Sequence, residues 1–125
     1  MKTSRYLKMT LILIAFVLSA HPLPAIGSGP GEEIAHLLAY LKDSGCSFYR
    51  NGSWHSAGEA VAHLNTKYGY LEKRGLADTA EKFIDRAATK SSISGDPYMV
   101  KCANAAPVPS AAWFDAELKR YRESR

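Results

Sequence analysis

Cys46 and Cys102 are the only cysteines in a chain of 125 residues, and whether they join decides how the rest can fold. A bond between them would tie two distant segments side by side and restrict every element in the long loop between them. Such pairing belongs to oxidising compartments; in a reducing one, the same residues would be thiols, and a reactive thiolate would be the functional alternative. The amino terminus carries the information needed to choose.

Lys2, Arg5 and Lys8 make a basic start, Met9 to Leu18 is an uncharged and mostly apolar run, and small or helix-breaking residues follow from Ser19 to Gly27. This is the three-part pattern of a secretory signal peptide. An apolar run of about ten residues falls well short of the roughly 20 that a bilayer span requires, so no stable membrane span is expected in the mature form. Cleavage after Gly27 would put Ala25 and Gly27 at the small-residue positions, with Ala20 and Ala25 as alternative sites. The expected organisation is a signal peptide over 1–27 and a single domain over 28–125, exported to the periplasm. No cysteine lies near these sites to carry a lipid anchor.

Export changes the charge argument. The whole chain has 16 Lys+Arg and 12 Asp+Glu, a formal charge of +4. Without Lys2, Arg5 and Lys8, 13 basic residues remain against 12 acidic ones, a net of +1. Nucleic-acid binding needs a clustered basic footprint, and interspersed charge does not supply one. No nucleic-acid partner is expected. In the oxidising setting the Cys46–Cys102 disulfide becomes the expectation, stabilising the domain by about 4 kcal/mol through loop closure.

Four segments show helical spacing. Ile34, Leu37, Leu38 and Leu41 form one apolar stripe within Glu32–Lys42, ended by Gly45. Ser56 and Glu59 form a capping box for a helix carrying Ala57, Ala60, Val61, Leu64, Tyr68 and Leu71 on one face. Asp78 is expected to cap a short helix with Ala80, Phe83, Ile84 and Ala87, and Ser110 a last one with Trp113, Phe114, Leu118 and Tyr121. Between them, Cys46–Arg50 and Tyr98–Cys102 read as strands. Antiparallel pairing about the disulfide would set Phe48 near Val100 and Arg50 near Tyr98. The fold class is therefore α+β: about four helices packed on a two-stranded antiparallel ribbon. An all-helical domain with the two cysteine segments extended is the alternative.

Glu59, His63 and Lys67 share a helix face, with His55 just ahead of it. Two histidines and a carboxylate can bind a transition metal, but Glu59 has a capping role and His55 lies outside the helix, so no metal or other cofactor is expected. The segment Thr89–Tyr98 is rich in hydroxyls and contains Gly95, a composition that can arrange backbone N–H groups around an anion or simply make a turn. Nothing in the sequence orders a serine, a histidine and an aspartate into a nucleophilic set, and no catalytic residue is assigned. Trp54, after the Asn51-Gly52 turn, is expected in the core.

Four ordered blocks carry a likeness: Phe48–Gly52, Glu59–Lys67, Thr79–Asp85 and Ser91–Lys101. Together they resemble the YfeK-like family of small exported bacterial proteins of unknown function, over about Glu33 to Cys102. The resemblance implies a Gram-negative periplasmic setting and no particular reaction. The disulfide rests on export and spacing, not on the family.

The functional expectation is a non-enzymatic binding or interaction module for a protein or small-molecule partner. Its candidate surface is Arg50, Asn51, His63, Lys67, Ser91, Ser92 and Tyr98. The alternatives are a small hydrolase or transferase using His63 with Ser91, Ser92 or Ser94, and an inhibitor of a hydrolase.

Overall fold

The computed structural model describes residues 19–22 and 27–125. Most of the export signal expected over 1–27 lies outside the described residues. Helix α1 spans Pro30–Asp43 and starts two residues earlier than expected. Pro30 occupies its first turn, where a missing N–H costs nothing, and Glu32 and Glu33 sit at the positive end of the helix dipole. Ile34, Leu37, Leu38 and Leu41 are all buried, as the stripe implied.

Gly45, at φ 67°, turns the chain into β1 (Ser47–Arg50). Asn51 and Gly52 follow with φ 49° and 82°, and the chain returns as β2 (Ser53–His55). Two consecutive positive φ values make the tight turn whose twist matches a hairpin, and an Asn-Gly pair adopts them at the least cost. Strands β3 (Met99–Lys101) and β4 (Val108–Pro109) complete a sheet of order β2-β1-β3-β4, with every neighbour antiparallel. The α+β class holds, but the ribbon is four-stranded rather than two-stranded. Each added strand is an edge of two or three residues, too short to show alternation. Pro109 is tolerated because β4 bonds only to β3.

Between β1 and β3, Ser47 pairs with Lys101 and Phe48 with Val100, which brings Cys46 opposite Cys102. The two form a disulfide. The pairing stops at Tyr49 with Met99, one step short of the expected Arg50–Tyr98 contact. Tyr98 instead donates its N–H to Thr89 O at 2.9 Å and accepts at its carbonyl from Ser110 N at 2.9 Å. Its backbone is engaged away from β1.

Helix α2 spans Ala57–Glu72, α3 Ala80–Ala87 and α4 Ser110–Glu123. With α1 they enclose Phe48, Val100, Tyr98, Phe83 and Phe114, all fully buried. Ser56 caps α2 by accepting from Glu59 N at 3.2 Å, but the Glu59 carboxylate meets His55 Nδ1 at 3.1 Å instead of completing the box. The cap of α3 is Thr79, which accepts from Lys82 N at 3.1 Å, while Asp78 pairs with the Lys82 ammonium. Ser110 is not a cap: it lies inside the first turn of α4, with its hydroxyl buried and unpartnered among the described residues.

Trp54 is a further correction. It stands on the three-residue edge strand β2, 46% exposed, with its ring tilted against Tyr49. The carboxy-terminal helix is clasped to α1 by charge: Arg122 donates to both Glu33 oxygens and to Glu81, and buried Glu117 accepts from Arg120 and meets His36 Nε2 at 2.7 Å. Among the described residues, no helix is long and apolar enough to cross a membrane.

Candidate functional site

His63 and Lys67 are four residues apart on α2 and therefore project from the same face. The core below that face admits Tyr98, whose side chain is 1% exposed and whose ring packs on Phe48 at 5.1 Å between centroids. A phenol held there needs hydrogen-bond partners at its tip. Lys67 Nζ donates to Tyr98 Oη at 3.2 Å and to Lys90 O at 3.1 Å, and His63 Nε2 lies 3.0 Å from the same Oη. With the phenolic oxygen accepting from lysine, its own hydrogen is directed to His63 Nε2, the arrangement of a neutral imidazole.

The electrostatics agree with this proton placement. Burial, and then the positive charges of Arg50, Lys67 and His55, hold the His63 pKa below its ordinary value. Burial and Arg50 also lower that of Lys67. Burial raises the Tyr98 phenol, with Arg50 opposing. Near neutral pH the cluster is thus a neutral histidine, a neutral phenol and an ammonium, with the Arg50 guanidinium adding positive potential from the end of β1.

A pocket of about 320 Å³ opens beside this cluster. One wall is a single stripe of α2: His63, Thr66, Lys67, Tyr70 and Leu71. Arg86 of α3 and Ser92 close it from the other side. Arg86 is steadied by donating to Leu76 O at 2.7 Å. Among the described residues the ion pairs involve His36, His55, Lys82, Lys119, Arg120 and Arg122. No carboxylate of the described residues lies within ion-pair distance of Arg50, Lys67 or Arg86.

The candidate residues named from sequence divide into three groups. His63 and Lys67 meet at the Tyr98 hydroxyl, and Ser92 joins His63 and Lys67 at the pocket. Arg50 acts on the cluster through its charge alone. Asn51 and Ser91 take part in folding the loop: Asn51 Oδ1 accepts from Ser94 Oγ at 2.9 Å, and buried Ser91 accepts at its Oγ from the N–H groups of Ile93 and Ser94. The N–H groups of this loop from Ser91 and from Ile93 to Asp96 are engaged within the loop itself. Gly95 N–H donates to Ser91 O, Ser91 N–H to Asp96 O, and Asp96 N–H to Ser94 Oγ, so its donors point inward. Sequence reading missed Thr66, Tyr70, Leu71 and Arg86. The first three continue the stripe from His63 at helical spacing and were legible as such; Arg86 reaches the pocket only through the packing of α3 on α2. Among the described residues, no three His, Cys, Asp or Glu side chains gather as metal ligands would.

Fold and site together define a small disulfide-bonded α+β domain with a cationic pocket beside a cluster in which half-buried Lys67 and His63 meet buried Tyr98. The chain belongs to the family of unknown function DUF5329, whose model matches residues 29–122. It is 41% identical over 94 residues to a Salmonella typhimurium protein described as "Uncharacterized protein YfeK", covering 72% of this chain and 77% of that one. The resemblance read from the four sequence blocks is thereby borne out. No solved structure matches the chain.

Proposed function

We propose that this is an exported, non-enzymatic binding module whose binding site is the pocket beside Lys67 and His63. The observation that carries the reading is the convergence of Lys67, His63 and Ser92 on one cavity, with positive charge that no carboxylate of the described residues neutralises. Concave sites with few polar groups on an apolar wall are where small ligands bind. The disulfide and the amino-terminal sequence pattern support export to the periplasm. Of the hydrolase alternatives built on His63, Ser91 is engaged in its own loop and Ser94 with Asn51; Ser92 alone shares the pocket with His63, whose Nε2 is turned to Tyr98.

A panel of small anionic, neutral and cationic compounds tests the reading by thermal shift. Some compounds should raise the melting temperature of the purified protein. A panel without effect, or a turnover in hydrolase and transferase screens that disappears in His63→Ala, contradicts it. One observation favours a second reading, an inhibitor of a hydrolase: Ile93 stands 95% exposed at the tip of a loop pinned by Ser91 and Ser94. Inhibition assays with the wild type and Ile93→Ser test that reading.

A further inference from the structure

The pocket has a polar end and an apolar one. At the polar end, the Lys67 ammonium has three N–H groups. Two are engaged by Tyr98 Oη and Lys90 O, which fix the nitrogen in place and leave one donor over. Ser92 Oγ, on the opposite rim, has no protein partner among the described residues. Arg50 adds positive potential at Lys67 and His63, and Arg86, a wall of the pocket, is held in position by Leu76 O. Arg86 also acts through its charge on the exposed Asp78 carboxylate. At the other end, Leu71 and the Tyr70 ring offer apolar surface, with the Arg74 guanidinium stacked 3.6 Å over that ring.

We propose that the pocket takes a small amphipathic monocarboxylate, its carboxylate on Lys67 Nζ and Ser92 Oγ and its apolar body against Tyr70 and Leu71. The inference rests on reading this pocket as the binding site, and it names the ligand class. One remaining ammonium donor and one hydroxyl match the two oxygens of a carboxylate. A phosphate would bring more charge and further oxygens; beside Leu71 and Tyr70 these would lose hydration, with Arg86 across the pocket the one remaining wall residue able to meet them. A volume of about 320 Å³ is at the small end for ligand sites and suits a single ring or short chain.

Phenylacetate, phenylacetamide, acetate and inorganic phosphate are titrated separately into the purified protein and followed by proton–nitrogen correlation NMR. Phenylacetate should give saturable shifts on the amides of Thr66–Leu71 and around Ser92. Phenylacetamide lacks the charge and acetate the apolar body, and each should bind at least about tenfold more weakly, the scale of one charge-assisted hydrogen bond. Arg50 lines no wall of the pocket and makes no side-chain bond among the described residues, so Arg50→Gln should fold normally. It should weaken phenylacetate several-fold and leave phenylacetamide unchanged. Equal affinity for acid and amide, tighter binding of phosphate, saturable shifts away from the pocket, or no binding by any of the four overturns the monocarboxylate assignment. Neutral or phosphate ligands seated in the same pocket overturn this inference alone and leave the binding-module reading standing.

Discussion

Tyr98 is where residue-level chemistry concentrates, because one buried oxygen is shared by an ammonium and an imidazole. The arrangement keeps His63 neutral at a pH where an exposed histidine begins to titrate. The unfolded chain therefore binds a proton near the ordinary value of 6.5 that the folded chain accepts only at lower pH. Where the unfolded state holds more protons, stability falls as pH falls. The contribution of His63 is thus nil above that ordinary value, and it becomes progressively destabilising as pH drops from there through the lower folded value. His63→Gln should flatten the slope of unfolding free energy against pH in that window, measured by urea denaturation at a series of pH values. An unchanged slope would show that burial and the charges of Arg50 and Lys67 do not shift the imidazole. The neutral histidine was not readable from sequence: the spacing of His63 and Lys67 was, but the phenol that joins them arrives from 31 residues beyond Lys67.

Elements with their own local signals were legible, and those defined by partners were not. The stripe of α1 and the apolar set of α3 were read correctly because burial follows helical period. Strand β2 and strand β4 were missed: each depends on a neighbour for its hydrogen bonds, and two or three residues carry no period. Asn51-Gly52 was a sufficient turn signal, yet its return arm Ser53-Trp54-His55 has little strand character without β1 beside it. Caps show the same limit. Asp78 and Thr79 are both acceptable N-caps by type, and only the backbone conformation selects Thr79, at φ −136° and ψ 157°. Thr79→Ala should cost about 1 kcal/mol of stability in chemical denaturation. Asp78→Ala removes an exposed pair with Lys82 and should cost less. The reverse order would return the cap to Asp78.

For the whole molecule, the disulfide joins residues 56 apart and closes a loop that contains α2, α3 and all of the candidate site. By the loop-entropy relation it stabilises the fold by about 4 kcal/mol, a large part of what a domain of this size holds in reserve. Replacing both cysteines by serine should lower the unfolding free energy by about that amount, and a change below about 1 kcal/mol would mean that helix packing alone secures the sheet. The pocket has a different relation to stability. Lys67 stands at its edge with a charge that burial and Arg50 disfavour, so a binding role predicts that the fold can do without that charge. The direct test is the melting temperature of Lys67→Gln with and without a compound that stabilises the wild type. The account predicts a melting temperature within a few degrees of wild type and no response to the compound. A large fall in melting temperature with the response retained would contradict it and make Lys67 a structural prop for Tyr98.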